Sequence, residues 1–296
     1  MTDTTNATVS AQDAAKMDPR ARIGEVHLTI TNLDQSLAYY QDRIGLRLHG
    51  RDGAVARMGA GGPDLLVLHE NPEARRAPRT TGLYHFAILV PTRRDLGLVI
   101  EHIATTRTPL QGVADHLVSE ALYLGDPDGN GIEIYRDRPR SEWNYDGSTV
   151  RMASDPLDFD GILGELEREP GTWDGLPTGT TIGHVHLEVS RIPETQAFYH
   201  DVLGFDVMAQ WHGALFVSAG GYHHHLGLNT WKGVGLPPAP EEAIGLKYFT
   251  VELSSQDEVK RVAERVSAAG HPIEWQGETP VARDPSGHRI MLRAQA

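Results

Sequence analysis

At 296 residues the chain is long enough for about two domains with buried cores. Its 40 Asp and Glu against 27 Lys and Arg leave a formal charge of -13, which argues against a phosphate-tracking nucleic-acid surface or an anionic membrane as partner. With no cysteine there are neither disulfides nor thiolate metal sites, so any transition-metal site must draw on carboxylates and the 15 histidines.

Met1 to Arg20 has neither an apolar core segment nor a basic start, so residues 1–21 are expected to form a disordered arm rather than a signal peptide or anchor. No later stretch approaches the roughly 18 apolar residues that span a bilayer, and a cytoplasmic location is expected.

From Ile23 one pattern recurs. IGEVHLTITNLDQSLAYYQDRIGLRL (Ile23 to Leu48) reads as an alternating strand, a capped amphipathic helix ending near Gly45, and the start of another strand. IGHVHLEVSRIPETQAFYHDVLGFDV (Ile182 to Val207) repeats it, down to an aromatic pair in the helix (Tyr39 and Tyr40 against Phe198 and Tyr199) and Gly45 against Gly204. A second type of unit opens with GLYHFAILV (Gly82 to Val90) and again with GLKYFTVEL (Gly245 to Leu253). It closes with DPDGNGIEIYR (Asp126 to Arg136) and DPSGHRIMLR (Asp284 to Arg293). The chain thus holds four modules of strand, helix and about three strands. The expected domains are 22–137 and 182–294, two modules each, joined by a connector over 138–181. That connector is rich in Pro, Gly, Asp and Trp, with one helical candidate, Phe159 to Arg168, and with Trp143 and Trp173 to pin it.

The stretch ADHLVSEALYLGDPDGNGIEIY (Ala114 to Tyr135) sets His116, Tyr123 and Glu133 around one tight hairpin whose DPDGNG turn favours positive φ. Glu133 is flanked by Ile132 and Ile134, which alternation sends to the other face. A carboxylate on the inner face of a strand costs free energy unless a cation or hydrogen-bond donor meets it. A metal ion is one such partner and an arginine another.

Four strand-helix-strand-strand-strand modules, opened by GHV or YHF and closed by DPxGxxIE, resemble the vicinal oxygen chelate superfamily over about nine tenths of the chain. That resemblance implies an α+β fold of four βαβββ modules paired into two half-open barrels, with a divalent metal in the cup. It leaves the chemistry open, because the superfamily includes isomerases, dioxygenases, thiol transferases and metal-free drug-binding proteins. Within it, His116, Leu122, Tyr123, Asp126, Pro127, Gly129 and Glu133 resemble the signature of extradiol dioxygenases of the catechol 2,3-dioxygenase type, with Ala114 as one departure.

What the resemblance implies can be carried over residue by residue. Glu133 is the carboxylate ligand, and His85 of YHFAIL is a histidine ligand from the first strand of the same module. His184 of GHVHLEV holds the matching place in the third module and completes the metal set. Tyr123 and His116 stand over the bound catecholate, and His224 in GYHHHLGLN (Gly221 to Asn229) aligns with the acid/base histidine. In the fourth module the positions matching His85 and Glu133 are Tyr248 and Met291, and in the first the position matching His184 is Glu25. Two histidines and one carboxylate therefore come together only if the second and third modules share the site, a permuted pairing. Pairing the first two modules instead gives Glu25, His85 and Glu133.

Each residue has a plainer reading beside this one. His85 and His184 are core histidines, His223 to His225 a solvated tract, and Tyr123 a barrel tyrosine with a bonded hydroxyl. His27 and His186, two places after the ligand position, are left outside the ligand set. Two imidazoles and a carboxylate on one face of an ion leave about three adjacent positions open, the arrangement associated with non-haem Fe(II) oxygen chemistry, and Mn(II) is the alternative. The expected reaction is extradiol cleavage of a small aromatic diol by dioxygen. A glyoxalase-like isomerase or lyase and a metal-free small-molecule-binding protein are the competing readings, and a homo-oligomer is left open.

Overall fold

The computed structural model describes residues 16–295. The expected disordered arm lies outside the described residues up to residue 15, and its last part is corrected by the structure. Met17 and Asp18 are buried, the Met17 N–H donates to the Gly204 carbonyl (2.7 Å), and the Asp18 carboxylate accepts from the Ser254 N–H (2.7 Å). A buried methionine and a carboxylate serving a backbone donor tie this segment down, although its polar composition reads as solvated.

Among the described residues, two eight-stranded sheets dominate. In the first, Arg22–Ile30 of module 1 runs antiparallel to Gly245–Leu253 of module 4 at the centre. Each of these strands is flanked by the parallel last strand of its own module, Asp64–Glu70 or Arg289–Ala294. The second sheet repeats the plan with Gly82–Leu89 of module 2 against Thr181–Glu188 of module 3. Gly131–Asp137 and Leu226–Asn229 are the parallel flanking strands there.

This is the vicinal oxygen chelate fold in its permuted pairing. The stretches 22–137 and 182–294 therefore do not each close a barrel, because each sheet takes one module from either stretch. Modules 1 and 2 pack side by side instead. The buried Tyr40 hydroxyl donates to Asp126 (2.9 Å), and the Thr31 N–H donates to Asp128 (2.8 Å). Tyr199 repeats the Tyr40 contact on Asp284 (3.0 Å) in modules 3 and 4. Asp126 does more than shape its turn: it receives a helix residue of the neighbouring module.

Alternation divides the strands of the second sheet between two environments. Phe86, Ile88, Ile132, Ile134, Val185 and Leu187 join a core cluster that also holds Leu28, Ile30 and Phe249 of the first sheet. The intervening positions His85, Ala87, Glu133 and His184 are left facing the cup. The connector is ordered where the sequence placed order, with a helix at Phe159–Arg168. Trp143 is buried beside Val150 and Met208, and Trp173 stacks on His102 at 4.2 Å. No helix among the described residues is long and apolar enough to cross a membrane.

Candidate metal centre

One cross-strand row of the second sheet carries most of the site. In register, Tyr123 opposes Glu133, Glu133 opposes Ala87, and Ala87 opposes His184. Directly opposed residues share a face, so the three polar side chains converge over the methyl group of Ala87. His85 stands two residues from Ala87 on the same face and opposes His186, which in turn opposes Gly227. Two glycines make this crowding feasible. A Cβ at Gly227 would meet the His186 ring at 2.8 Å, and one at Gly131 would meet the Tyr84 carbonyl oxygen at 2.0 Å.

His85 Nε2 and His184 Nε2 lie 2.9 and 3.0 Å from Glu133 Oε2 and 3.3 Å from each other. All three side chains are buried, Glu133 with 2% of its surface exposed. Among the described residues, this is the group of histidines and carboxylates that could hold a metal ion. Three donors at right angles around an ion about 2.1 Å away stand about 3.0 Å apart, so the triangle has the size a metal requires. Burial holds the His85 imidazole below its usual pKa, and Glu133 only partly offsets it. Burial pushes the Glu133 carboxyl up, but the facing His184 and His85 outweigh it and keep the group well below the usual carboxylate range. The set is thus an ionised carboxylate with a neutral imidazole beside it, the protonation that metal ligands need. The arginine alternative for Glu133 is not taken. Arg136 turns to the other face and donates to Glu120 (2.6 Å), which is buried.

A cavity of about 510 Å³ opens over the trio. Its walls include His116, Tyr123 and His224, the three residues expected to handle protons. The His116 Nδ1–H donates to the Ala153 carbonyl (2.6 Å), which leaves Nε2 to accept from the Tyr123 hydroxyl (2.6 Å). Burial first, and then the Glu133 charge, raise the Tyr123 phenol well above its ordinary pKa and keep it a donor. His224 packs on His184 with ring centroids 4.1 Å apart, and burial followed by the neighbouring histidines holds it well below the usual imidazole range.

The tract His223 to His225 is buried, which sets aside the solvated reading, and it lies in a bend before Leu226–Asn229 rather than in a strand. Strand alternation therefore does not govern it. His225 Nδ1 faces Ser218 Oγ (2.9 Å), His223 faces Asp137, and His224 lines the cavity.

Several lining residues carried no sequence signal. Met152 and Ser154 reach the cavity from the connector, brought there by backbone pairing of Asp155 with Asp115. Tyr84, Trp211 and Trp231 form an aromatic rim, each more than a third exposed. His186, left out of the ligand set, accepts from Asn229 Nδ2 (3.0 Å) and lies beside His85 at 5.0 Å between ring centroids.

The equivalent place in the first sheet is built differently. Glu25 takes a two-pronged hydrogen bond from Arg293 (2.6 and 2.5 Å), Arg293 also reaches Glu252 (2.7 Å), and Tyr248 stacks on His27 at 3.9 Å. A guanidinium there compensates the charge of the buried carboxylate.

Four βαβββ modules paired into two open sheets, with a buried histidine, glutamate and histidine in one cup, define a member of the vicinal oxygen chelate fold with a candidate metal site. The Glyoxalase/Bleomycin resistance protein/Dioxygenase superfamily pattern matches residues 22–134 and 181–292, and the chain belongs to that superfamily. It is 48% identical over 270 residues to the catechol-2,3-dioxygenase of Bacillus subtilis (strain 168), covering 89% of this chain and 93% of the relative. A crystal structure from Bacillus subtilis subsp. subtilis str. 168 is similar in fold with TM-score 0.66 at 12% identity, over 95% of this chain and 86% of that one. Glyoxalase I from Zea mays gives TM-score 0.56 at 17% identity over 92% of both.

Proposed function

We propose that this chain is a metal-dependent extradiol dioxygenase that opens the ring of a catechol beside its two hydroxyl-bearing carbons, adding both atoms of dioxygen. The observation that carries the reading is the trio of His85, Glu133 and His184 at the base of a cavity whose walls hold His116, Tyr123 and His224. The extent of identity to the Bacillus catechol-2,3-dioxygenase supports it. His85, Glu133 and His184 would hold the ion. Fe(II) is the ion proposed and Mn(II) the alternative, since imidazole and carboxylate discriminate poorly between them. Such an ion, when bound, passes electron density between a catecholate and dioxygen.

The remaining work falls to the protein. His224 takes a proton from a catechol hydroxyl at its Nε2. Tyr123 donates its hydroxyl hydrogen in a hydrogen bond to a substrate oxygen, and His116 Nε2, relieved of that hydrogen bond, receives the proton of the second catechol hydroxyl and stabilises negative charge developing on the oxygen-derived group. The aromatic rim and Met152 keep the ring in an apolar slot, so that both reactants meet in a fixed geometry. The isomerase reading needs a second carboxylate at the metal, whereas the candidate group among the described residues holds a single carboxylate, Glu133.

The test is metal analysis of anaerobically purified protein followed by dioxygen uptake with simple catechols. One Fe(II) or Mn(II) per chain, with one dioxygen consumed per yellow ring-opened product, is the expected result. Bound metal with no uptake across a broad panel of catechols and hydroquinones would overturn it.

A further inference from the structure

His223 is fully buried, yet both of its ring nitrogens are engaged. Nε2 lies 2.9 Å from Asp137 Oδ1, and Nδ1 lies 2.7 Å from Nδ1 of His224. The same carboxylate oxygen accepts from the Tyr222 hydroxyl (3.2 Å), whose own oxygen lies 2.7 Å from the Tyr135 hydroxyl. These contacts assign the protons by elimination. A carboxylate accepts only, so His223 carries its hydrogen on Nε2, and its Nδ1, in the neutral ring, is an acceptor. Two nitrogens at 2.7 Å share one hydrogen, so His224 must donate it from Nδ1. The neutral His224 ring then has no hydrogen on Nε2. That nitrogen makes no hydrogen bond among the described residues, and it belongs to a ring that lines the cavity.

We propose that Asp137 and His223 are positioning residues that hold His224 in the tautomer whose bare Nε2 faces the substrate. The inference rests on the dioxygenase reading for the identity of the proton donor, a catechol hydroxyl. When His224 takes that proton at Nε2, no hydrogen has to leave Nδ1, because the hydrogen bond to His223 is kept and strengthened by the new charge. Tyr135 and Tyr222 anchor the carboxylate from below, with the Tyr135 hydroxyl donating to Tyr222 and Tyr222 donating to Asp137. Replacing Asp137 by asparagine keeps the shape, but it allows an amide N–H to face His223 Nε2. The whole row of hydrogens can then reverse and leave His224 with its hydrogen on the cavity side.

Two measurements on the full chain test this. In the Zn(II)-loaded protein, which is diamagnetic, the ring 15N shifts of His224, assigned by their absence in His224→Phe, should report Nδ1–H and a bare Nε2. Asp137→Asn should populate the opposite tautomer. With the native metal, Asp137→Asn should lose at least about tenfold in kcat, within the range for an impaired general base, while KM stays within about threefold and metal content is unchanged. An Nε2–H tautomer in the unmodified protein overturns the proposal. So does an Asp137→Asn protein with full metal and at least half the original kcat, or one whose activity falls only in step with lost metal. If the unmodified protein is inert towards catechols, the dioxygenase reading fails, while the tautomer measurement still decides the relay.

Discussion

Glu133 and His184 meet across a strand that belongs to neither of them. Their strands are separated by Gly82–Leu89, yet Glu133 Oε2 and His184 Nε2 are 3.0 Å apart because their common register partner is Ala87. A methyl group is short enough for two longer side chains to close over it. Ala87→Leu places three more carbons under the ligands. It should lower metal affinity at least about tenfold, comparable to losing a supporting contact, and cost about 1–3 kcal/mol through overpacking. Metal titration and denaturant melts of the variant check both parts. Unchanged affinity would mean that the trio does not depend on closing over residue 87.

Much of this site was legible because the chain is duplicated. Comparing Glu25, His85, His184 and Tyr248 at equivalent first-strand positions singles out modules 2 and 3, and the sheet order pairs those modules. What was not legible lies where periodicity stops. The bend at His223 to His225 has no alternation to read, and Asp137 meets His223 from 86 positions away. Met152 and Ser154 sit in an irregular connector whose course over the cavity depends on tertiary pairing rather than on local pattern. The buried role of Met17 and Asp18 was hidden for the same reason: short polar segments look alike whether they are solvated or docked.

The counterpart site offers a contrast between ligand and ion pair. His184→Ala should abolish metal binding, whereas Glu25→Gln should leave one metal per chain, since Glu25 is bonded to Arg293 in the other sheet. Burial raises the Glu25 carboxyl, but His27 and Arg293 outweigh it and lower its pKa to about 2 from 4.5. A carboxylate with a depressed folded-state pKa adds stability above its unfolded pKa and loses it as pH falls through the folded value. The stability gap between the native protein and Glu25→Gln should be about 1–3 kcal/mol at pH 7, discounted for the partly exposed Arg293, and should shrink between pH 4.5 and pH 2. Urea melts at pH 7 and pH 3 measure it, and a gap independent of pH would contradict the assignment.

Among the described residues, the cavity lining contains no lysine or arginine. An anionic substituent carried into it would lose hydration without gaining a lysine or arginine partner, whereas a methyl or phenyl group would gain apolar contact with Trp231, Phe216 and Met152. We therefore expect kcat/KM for 4-methylcatechol to exceed that for 3,4-dihydroxybenzoate by about 100-fold or more, the cost of a few kcal/mol. Equal rates would mean that the substituent stays in solvent beyond the aromatic rim.

His116 and Tyr123 should behave as one unit. The Tyr123 hydroxyl has a single hydrogen, which it donates to His116 Nε2 (2.6 Å), and the Ala153 carbonyl holds the other His116 nitrogen as a donor. Removing the hydroxyl in Tyr123→Phe leaves His116 Nε2 without the group that aligns it, and His116→Phe leaves Tyr123 without its acceptor. Neither residue belongs to the trio, so both variants should retain the metal while kcat falls by about 10²- to 10⁴-fold, the range for loss of a proton-handling group. Groups in direct hydrogen-bond contact are not additive, so the double variant should be little slower than the slower single one. Single-turnover rates on the metal-loaded proteins settle the point. A double variant whose loss equals the product of the two single losses would show that the residues act independently, and metal loss in either single variant would move that residue into the ligand set.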